Sequence, residues 1–186
     1  MLALDQADQF LSQALDAAEA GGDCRTGLDD LPVPVYMTDA EGLVTYWNQA
    51  CVAFAGREPQ LGRDRWCVTW RLYTTNGDPL RHDQCPMAEA IRRGEPIRDE
   101  IAIAERPSGH RVAFRPYPTP LLAADGSVTG AISMLIDITD EQCGALSDQA
   151  SRCRRLAHST TDQRAARILA DMAKGYEKNV AALRTR

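Results

Sequence analysis

Val35-Tyr36-Met37-Thr38-Asp39-Ala40-Glu41-Gly42-Leu43-Val44-Thr45-Tyr46-Trp47-Asn48 sets two short β-forming runs on either side of a tight turn. Val35–Thr38 and Leu43–Trp47 have the composition of strands. Asp39-Ala40-Glu41-Gly42 supplies the turn, with Gly42 able to take a positive φ. The side-chain oxygen of Asn48 is suited to cap a helix running to Ala55, because it can accept an orphan backbone N–H. Gly56 is a left-handed stop for that helix. The spacing Asp39-x2-Gly42-x4-Trp47-Asn48-x7-Gly56-x5-Gly62 therefore describes a hairpin running into a short capped helix.

Downstream, Cys85-Pro86-Met87-Ala88-Glu89-Ala90-Ile91-Arg92-Arg93-Gly94 reads as a compact helix with Pro86 in its first turn and Gly94 as its stop. Three strands should follow. Asp99–Glu105 alternates on Ile101 and Ile103, and His110–Arg115 on Val112 and Phe114. Ser127–Ile138 puts Val128, Ile132, Met134, Ile136 and Ile138 on one face. Turns at Pro107-Ser108-Gly109 and Ala124-Asp125-Gly126 separate them. A hairpin, short helices and three long strands ending in Asp137-Ile138-Thr139-Asp140 resemble a PAS domain over residues 31–140. Trp70-Arg71-Leu72-Tyr73, His82-Asp83-Gln84-Cys85-Pro86-Met87-Ala88 and Glu105-Arg106-Pro107 through Pro118-Thr119-Pro120-Leu121 look like a bacterial subfamily, mostly alphaproteobacterial, found alone or ahead of histidine kinases. The resemblance implies an α+β fold, a five-stranded antiparallel sheet with short helices on one face. It also implies a sensory or adaptor role in signal transduction.

At 186 residues the chain suits one domain with flanking helices. No apolar run is long enough to cross a bilayer, and the N-terminus lacks the basic-then-apolar order of a secretory signal. The expected location is the cytoplasm. Cys24, Cys51, Cys67, Cys85, Cys143 and Cys153 form no Cys-x-x-Cys pair and read as reduced thiols. The formal net charge of −5 is uneven: residues 1–30 carry −6, residues 31–138 carry −2 and residues 139–186 carry +3. Solvated helix faces account for this, as does attraction between an acidic head and a basic tail.

Residues 1–30 are expected to hold an amphipathic helix over 4–20 and a polar linker. Leu4, Ala7, Leu11, Ala14 and Ala18 recur at three- and four-residue steps, with Phe10 and Leu15 beside them. The stripe suits either cover for the sheet or parallel packing in a homodimer. Residues 141–186 read as an antiparallel helical hairpin. Leu146, Ala150, Cys153 and Ala157 stripe its first helix. Ala165, Leu169, Met172, Tyr176 and Leu183 stripe its second, with Ile168 and Val180 alongside. Thr160 is the expected cap of the second helix, with Gln163 three residues on. Leu4, Phe10, Leu11, Leu15, Leu169, Met172 and Tyr176 are thus candidate contacts with a second copy or a partner. Truncation after Asp140 is expected to leave a folded core and abolish partner binding.

A PAS sheet covered by helices encloses space between the two layers, where small ligands commonly sit. Candidate lining residues are Trp47, Cys51, Phe54, Trp66, Trp70, Met87, Ile91, Phe114, Met134 and Ile136, all of which also suit plain core packing. The resemblance allows haem or a small metabolite as ligand. Haem would need a histidine on a lining helix, and only His82 lies near one. Arg81-His82-Asp83 is a charged loop that equally suits a solvated histidine. His110, at a strand start, and His158, near a helix end, do not resemble ligands. Photosensory relatives use Asn-Cys-Arg-Phe-Leu-Gln to attack flavin. Gly62-Arg63-Asp64-Arg65-Trp66-Cys67-Val68 lacks that motif, so Cys67 reads as a small buried side chain.

No Gly-x-Ser-x-Gly, phosphate loop or His-Glu-x-x-His occurs, and no kinase phosphoacceptor region is recognisable. A non-catalytic protein with no metal site is therefore expected, acting by contact with another protein. The family resemblance points to a sensor histidine kinase or a scaffold. Arg152, Arg154, Arg155, Arg164 and Arg167 cluster about the hairpin turn and suit nucleic acid. The hairpin lacks a third supporting helix, however, and the chain is acidic overall. Its Ala-rich apolar face does not suit membrane insertion.

Overall fold

The structure is a computed structural model and describes residues 9–13, 15 and 25–184. Along it run α1 (Arg25–Asp29), β1 (Val35–Asp39), β2 (Val44–Trp47), α2 (Gln49–Ala55), β3 (Arg71–Tyr73), β4 (Pro79–Leu80), a 3-10 turn (His82–Gln84), α3 (Pro86–Arg93), β5 (Ala102–Glu105), β6 (Arg111–Leu122), β7 (Val128–Asp137), α4 (Thr139–Ser159) and α5 (Gln163–Arg184). The strands form one antiparallel sheet in the order β2-β1-β7-β6-β5-β3-β4. It has seven strands where five were expected. The two extra, β3 and β4, form a hairpin on the edge, with Leu72 opposite both Leu80 and Ala104. Strands of three and two residues, one starting on Pro79, are too short to show a period of two. No described helix is long and apolar enough to cross a membrane.

β6 runs to Leu122, well past its expected end at Arg115. Pro116, Pro118 and Pro120 hide this length, because proline usually argues against a central strand. Their spacing makes them harmless. Odd-numbered residues of β6 bond to β7, as when Ile138 N–H donates to the Ala113 carbonyl at 2.9 Å. The three prolines are even-numbered, so each aims its missing N–H away from β7. The carbonyl of Pro118 faces that open edge and accepts from the Ile97 N–H at 3.2 Å and the Arg98 guanidinium at 3.0 Å. An edge without donors also resists pairing with another chain.

The period of two divides the sheet into two cores. The inner face carries Tyr36, Val112, Phe114, Ala131 and Leu135, covered by Cys51 and Phe54 of α2 and Met87 and Ala88 of α3. The Phe54 and Phe114 rings meet edge-to-face at 5.3 Å. The outer face carries Val35, Ile132, Met134, Ile136 and Ile138, covered by Leu28, Cys143, Leu146, Val180 and Leu183. Leu11 is buried in this outer core, with Phe10 and Leu15 packed against it. These side chains cover their own sheet, one of the two roles read from the stripe. Leu4 and most of the 4–20 helix lie outside the described residues.

Burial of Leu146, Val180 and Leu183 stabilises the docked hairpin by about 1.5–3 kcal/mol per side chain. Removal of residues after Asp140 would take Cys143, Leu146, Val180 and Leu183 out of this outer core. The truncated core expected from sequence therefore loses part of its outer cover.

Two caps differ from expectation. Asn48 stands at the start of α2 but makes no side-chain cap. Its Oδ1 accepts the Val35 N–H at 3.0 Å, and its Nδ2 donates to the carbonyls of Leu28, Leu31 and Val33 at 3.1, 3.4 and 2.9 Å. The completely buried amide thus fastens the segment between α1 and β1 to the core. Thr160 does not cap α5. Asp162 does, accepting the N–H groups of Arg164 and Ala165 at 2.8 and 3.2 Å.

Candidate functional site

The inner face is built around Tyr36. Its hydroxyl donates to the Trp66 carbonyl at 3.1 Å, and the Cys85 thiol approaches the same oxygen at 3.6 Å. The Cys51 thiol donates to the Val35 carbonyl at 3.3 Å, and the Thr69 hydroxyl donates to the Cys67 sulfur at 3.2 Å. Burial pushes the thiols of Cys51 and Cys85 up to about 12, and pushes up that of Cys67 as well. Burial likewise raises the Tyr36 phenol well above its ordinary range. All four stay protonated near neutral pH, so they pack as neutral groups and none is an activated nucleophile. Among the described residues no cluster of three His, Cys, Asp or Glu side chains could hold a metal ion.

Trp66 closes one end of this layer. Its backbone takes φ +68, rare for a bulky residue. Its ring lies against Gly42, where a Cβ would fall 2.3 Å from the indole. Gly42 is thus required twice, for φ +83 and for the space the ring fills.

The structure brings part of the candidate lining together. Cys51, Phe54, Met87 and Phe114 are buried in the inner core, with Trp47, Trp66 and Ile91 packed against them. Met134 and Ile136 belong to the outer core, so their placement in the lining is corrected. Periodicity grouped them properly with Ile132 and Ile138 but cannot say which face meets the short helices. Trp70 lies outside, 41% exposed, with the Arg71 guanidinium 4.1 Å above its ring. Tyr36, Cys67, Val68, Cys85 and Leu135 were missed. For Leu135 the signal was present, as the residue out of phase with the isoleucines. Two inner-face polar atoms are buried without a partner, Thr38 Oγ1 and Trp47 Nε1. Thr38 pairs with Ala131, and Trp47 with Tyr36, which puts both on the inner side.

His82 does not reach the inner layer. Its Nε2 lies 3.1 Å from the Thr69 carbonyl, and its ring lines a surface cleft with Arg57, Asp64 and Trp70. That geometry does not fit an axial haem ligand. Burial lowers its pKa, opposed by the Thr69 carbonyl and by Asp64 and Asp83.

β7 passes directly into α4. Thr139 Oγ1 accepts the Ala113 N–H at 3.1 Å, and Asp137 accepts the Thr139 N–H at 2.9 Å. Arg115 of β6 pairs with Glu141 of α4 at 3.1 Å. In the hairpin, Ala150, Cys153, Ala173 and Val180 are buried, and Leu169 and Tyr176 are half-buried at the seam. The Arg154–Glu177 ion pair closes one side of that seam. Relative to the buried stripes, Leu156, Ile168 and Met172 project from the other side. They are 46%, 54% and 44% exposed.

A family model described as the PAS fold matches residues 28–142. The chain belongs to the PAS fold family. No curated protein matches. Among solved structures, an RNA-binding light-oxygen-voltage receptor is similar at 17% identity and TM-score 0.52, over 87% of this chain and 38% of that one. The Rhodobacter sphaeroides LOV protein is similar at 14% identity and TM-score 0.51, over 92% of this chain and 94% of that one. At these identities the likeness is one of fold alone.

Proposed function

We propose that this chain is a non-catalytic PAS adaptor that regulates a signalling pathway through protein contact. Its output surface is the distal half of the α4–α5 hairpin. The observation that carries this reading is the division of the hairpin. Its base is buried against the outer sheet face, while Leu156, Ile168 and Met172, farther along the two helices, are exposed. Three large apolar side chains on one side of a helix pair suit a partner helix. A sensor histidine kinase or scaffold remains the partner class that the family resemblance suggests, with a homodimer as the other occupant.

Glu in place of Leu156, Ile168 or Met172 tests this. Each variant should keep its Tm within a few degrees, since the position is half-exposed, yet lose capture of the partner kinase or scaffold and any self-association. Retained capture by all three would refute the assignment. A second reading, a small-molecule sensor, is favoured by Thr38 Oγ1 and Trp47 Nε1. A ligand with polar atoms beside them would satisfy both groups. Such a ligand would raise Tm in proportion to the logarithm of its concentration.

A further inference from the structure

Away from the inner layer and the hairpin, Arg57, Arg63, Asp64, Arg65, Cys67, Thr69, Trp70 and His82 line a surface cleft of about 320 Å³. That volume falls at the lower end of the range for small-molecule sites, about 300–1,000 Å³. We propose that it binds a small phosphate-bearing ligand.

The loop between α2 and β3 supplies every one of these residues but His82. Its floor is Cys67 and Thr69, both buried, which makes it rigid. Its walls carry three guanidinium groups against one carboxylate. Asp64 is already engaged, accepting from Arg57 at 2.8 Å and from the Gln60 N–H at 2.8 Å. Arg57 also reaches the Thr69 carbonyl at 3.4 Å, but its buried Nε has no partner. Arg63 bonds Gln60 at 3.2 Å and Arg65 the Glu41 carbonyl at 3.0 Å. Neither forms an ion pair with a carboxylate among the described residues. Each planar fork thus keeps free donors, and such forks match phosphate oxygens in pairs. Trp70, 41% exposed with the Arg71 guanidinium over one face of its ring, adds apolar surface to the lining for the uncharged part of the ligand.

Clustered like charge has an alternative role, general attraction of any polyanion, and the hairpin's arginines provide the comparison. Isothermal titration of the full chain with pyrophosphate and with ADP, at low and moderate salt, separates the two. Binding at one site per chain is expected for both. R63A/R65A should weaken each at least tenfold, while R152A/R155A leaves them unchanged. W70A should weaken ADP severalfold and pyrophosphate little. Arg63 and Arg65 are exposed, so these variants should melt as the parent does. Absence of binding by the parent chain, or equal weakening by the two double variants, would overturn the site. Loss of hairpin partner capture with phosphate binding intact would bear only on the adaptor reading.

Discussion

Asn48→Ala is the sharpest test of how this fold holds its leading segment. The substitution leaves the Val35 N–H buried and takes a donor from the carbonyls of Leu28, Leu31 and Val33. A buried group left unsatisfied costs about 1–3 kcal/mol, and a net hydrogen bond about 0.5–1.5 kcal/mol. One orphaned donor, two well-made bonds and one long one sum to about 3–5 kcal/mol. With a urea slope of about 2 kcal/mol/M, the midpoint should fall by about 2 M. Asp and Ser in the same place discriminate between two roles. For a helix cap, Asn, Asp and Ser are nearly equivalent. For the interlocked amide they are not. Ser is too short to span both sides, and Asp turns a carboxylate oxygen toward three carbonyls. The buried Asp would have a raised pKa, so N48D should bind more protons folded than unfolded above pH about 4. Its deficit relative to the parent should therefore grow as pH rises from 4 to 7. Urea melts of N48A, N48S and N48D at both pH values measure this. If Asp and Ser each cost less than about 0.5 kcal/mol, the capping role is right and the fastening role is wrong.

Gly42→Ala should cost about 2–4 kcal/mol, from the left-handed backbone and the collision with the Trp66 ring. Pairing it with W66A should recover part of that loss in a double-mutant cycle, and strict additivity would refute the contact. His82 has its pKa lowered in the fold, chiefly by burial, so the unfolded chain takes up its proton first. Its contribution to stability is fully present above the ordinary value of about 6.5 and is lost as pH falls through and below it. Thermal melts should show the parent losing more Tm than H82Q between pH 7.5 and 5.5, and parallel losses would exclude His82 as the cause. Thr139→Val removes the acceptor of the Ala113 N–H and should cost about 1–2 kcal/mol. Hydrogen exchange should then quicken first in the opening turn of α4, and unchanged protection there would show the junction to be inert.

Much of the fold was legible because turns and periods are local properties. Gly42, Gly56 and Gly94 each take the positive φ that their turn or helix stop requires. The alternation on Ile132, Met134, Ile136 and Ile138 marked β7 as a strand and its partners as one face. What stayed hidden depends on contacts distant in sequence. Nothing near Met134 says whether its side of the sheet meets short helices or the hairpin. The inner face turns out to carry the smaller set, Ala102, Ala104 and Ala131 beside Leu135, and this contrast was readable only once strands were paired. Asn48 looked like a cap because a cap needs only its own helix, whereas the carbonyls it serves lie 15 to 20 residues earlier. The cleft arginines were passed over because Arg57 and His82 are distant in sequence and meet only at the Thr69 carbonyl.

The same division explains why the tip of the hairpin suits an output. α4 has 21 residues and so spans about 32 Å. Its first two turns are bound to the sheet through Thr139, Cys143 and Leu146. From Leu146 to Ser159 the helix extends about 20 Å further, packed along α5. A tilt of about 10° at the base would move the tip by about 3–4 Å, given that helix length. That exceeds the depth to which a methyl group engages a hole in a helix interface, and an apolar contact is mostly forfeited over such a gap. On the proposed adaptor reading, such a lever would need two packings of the outer core and no pathway through individual side chains, and substitutions at Leu146 or Leu183 should alter stability and partner affinity together, where those at Ile168 alter affinity alone.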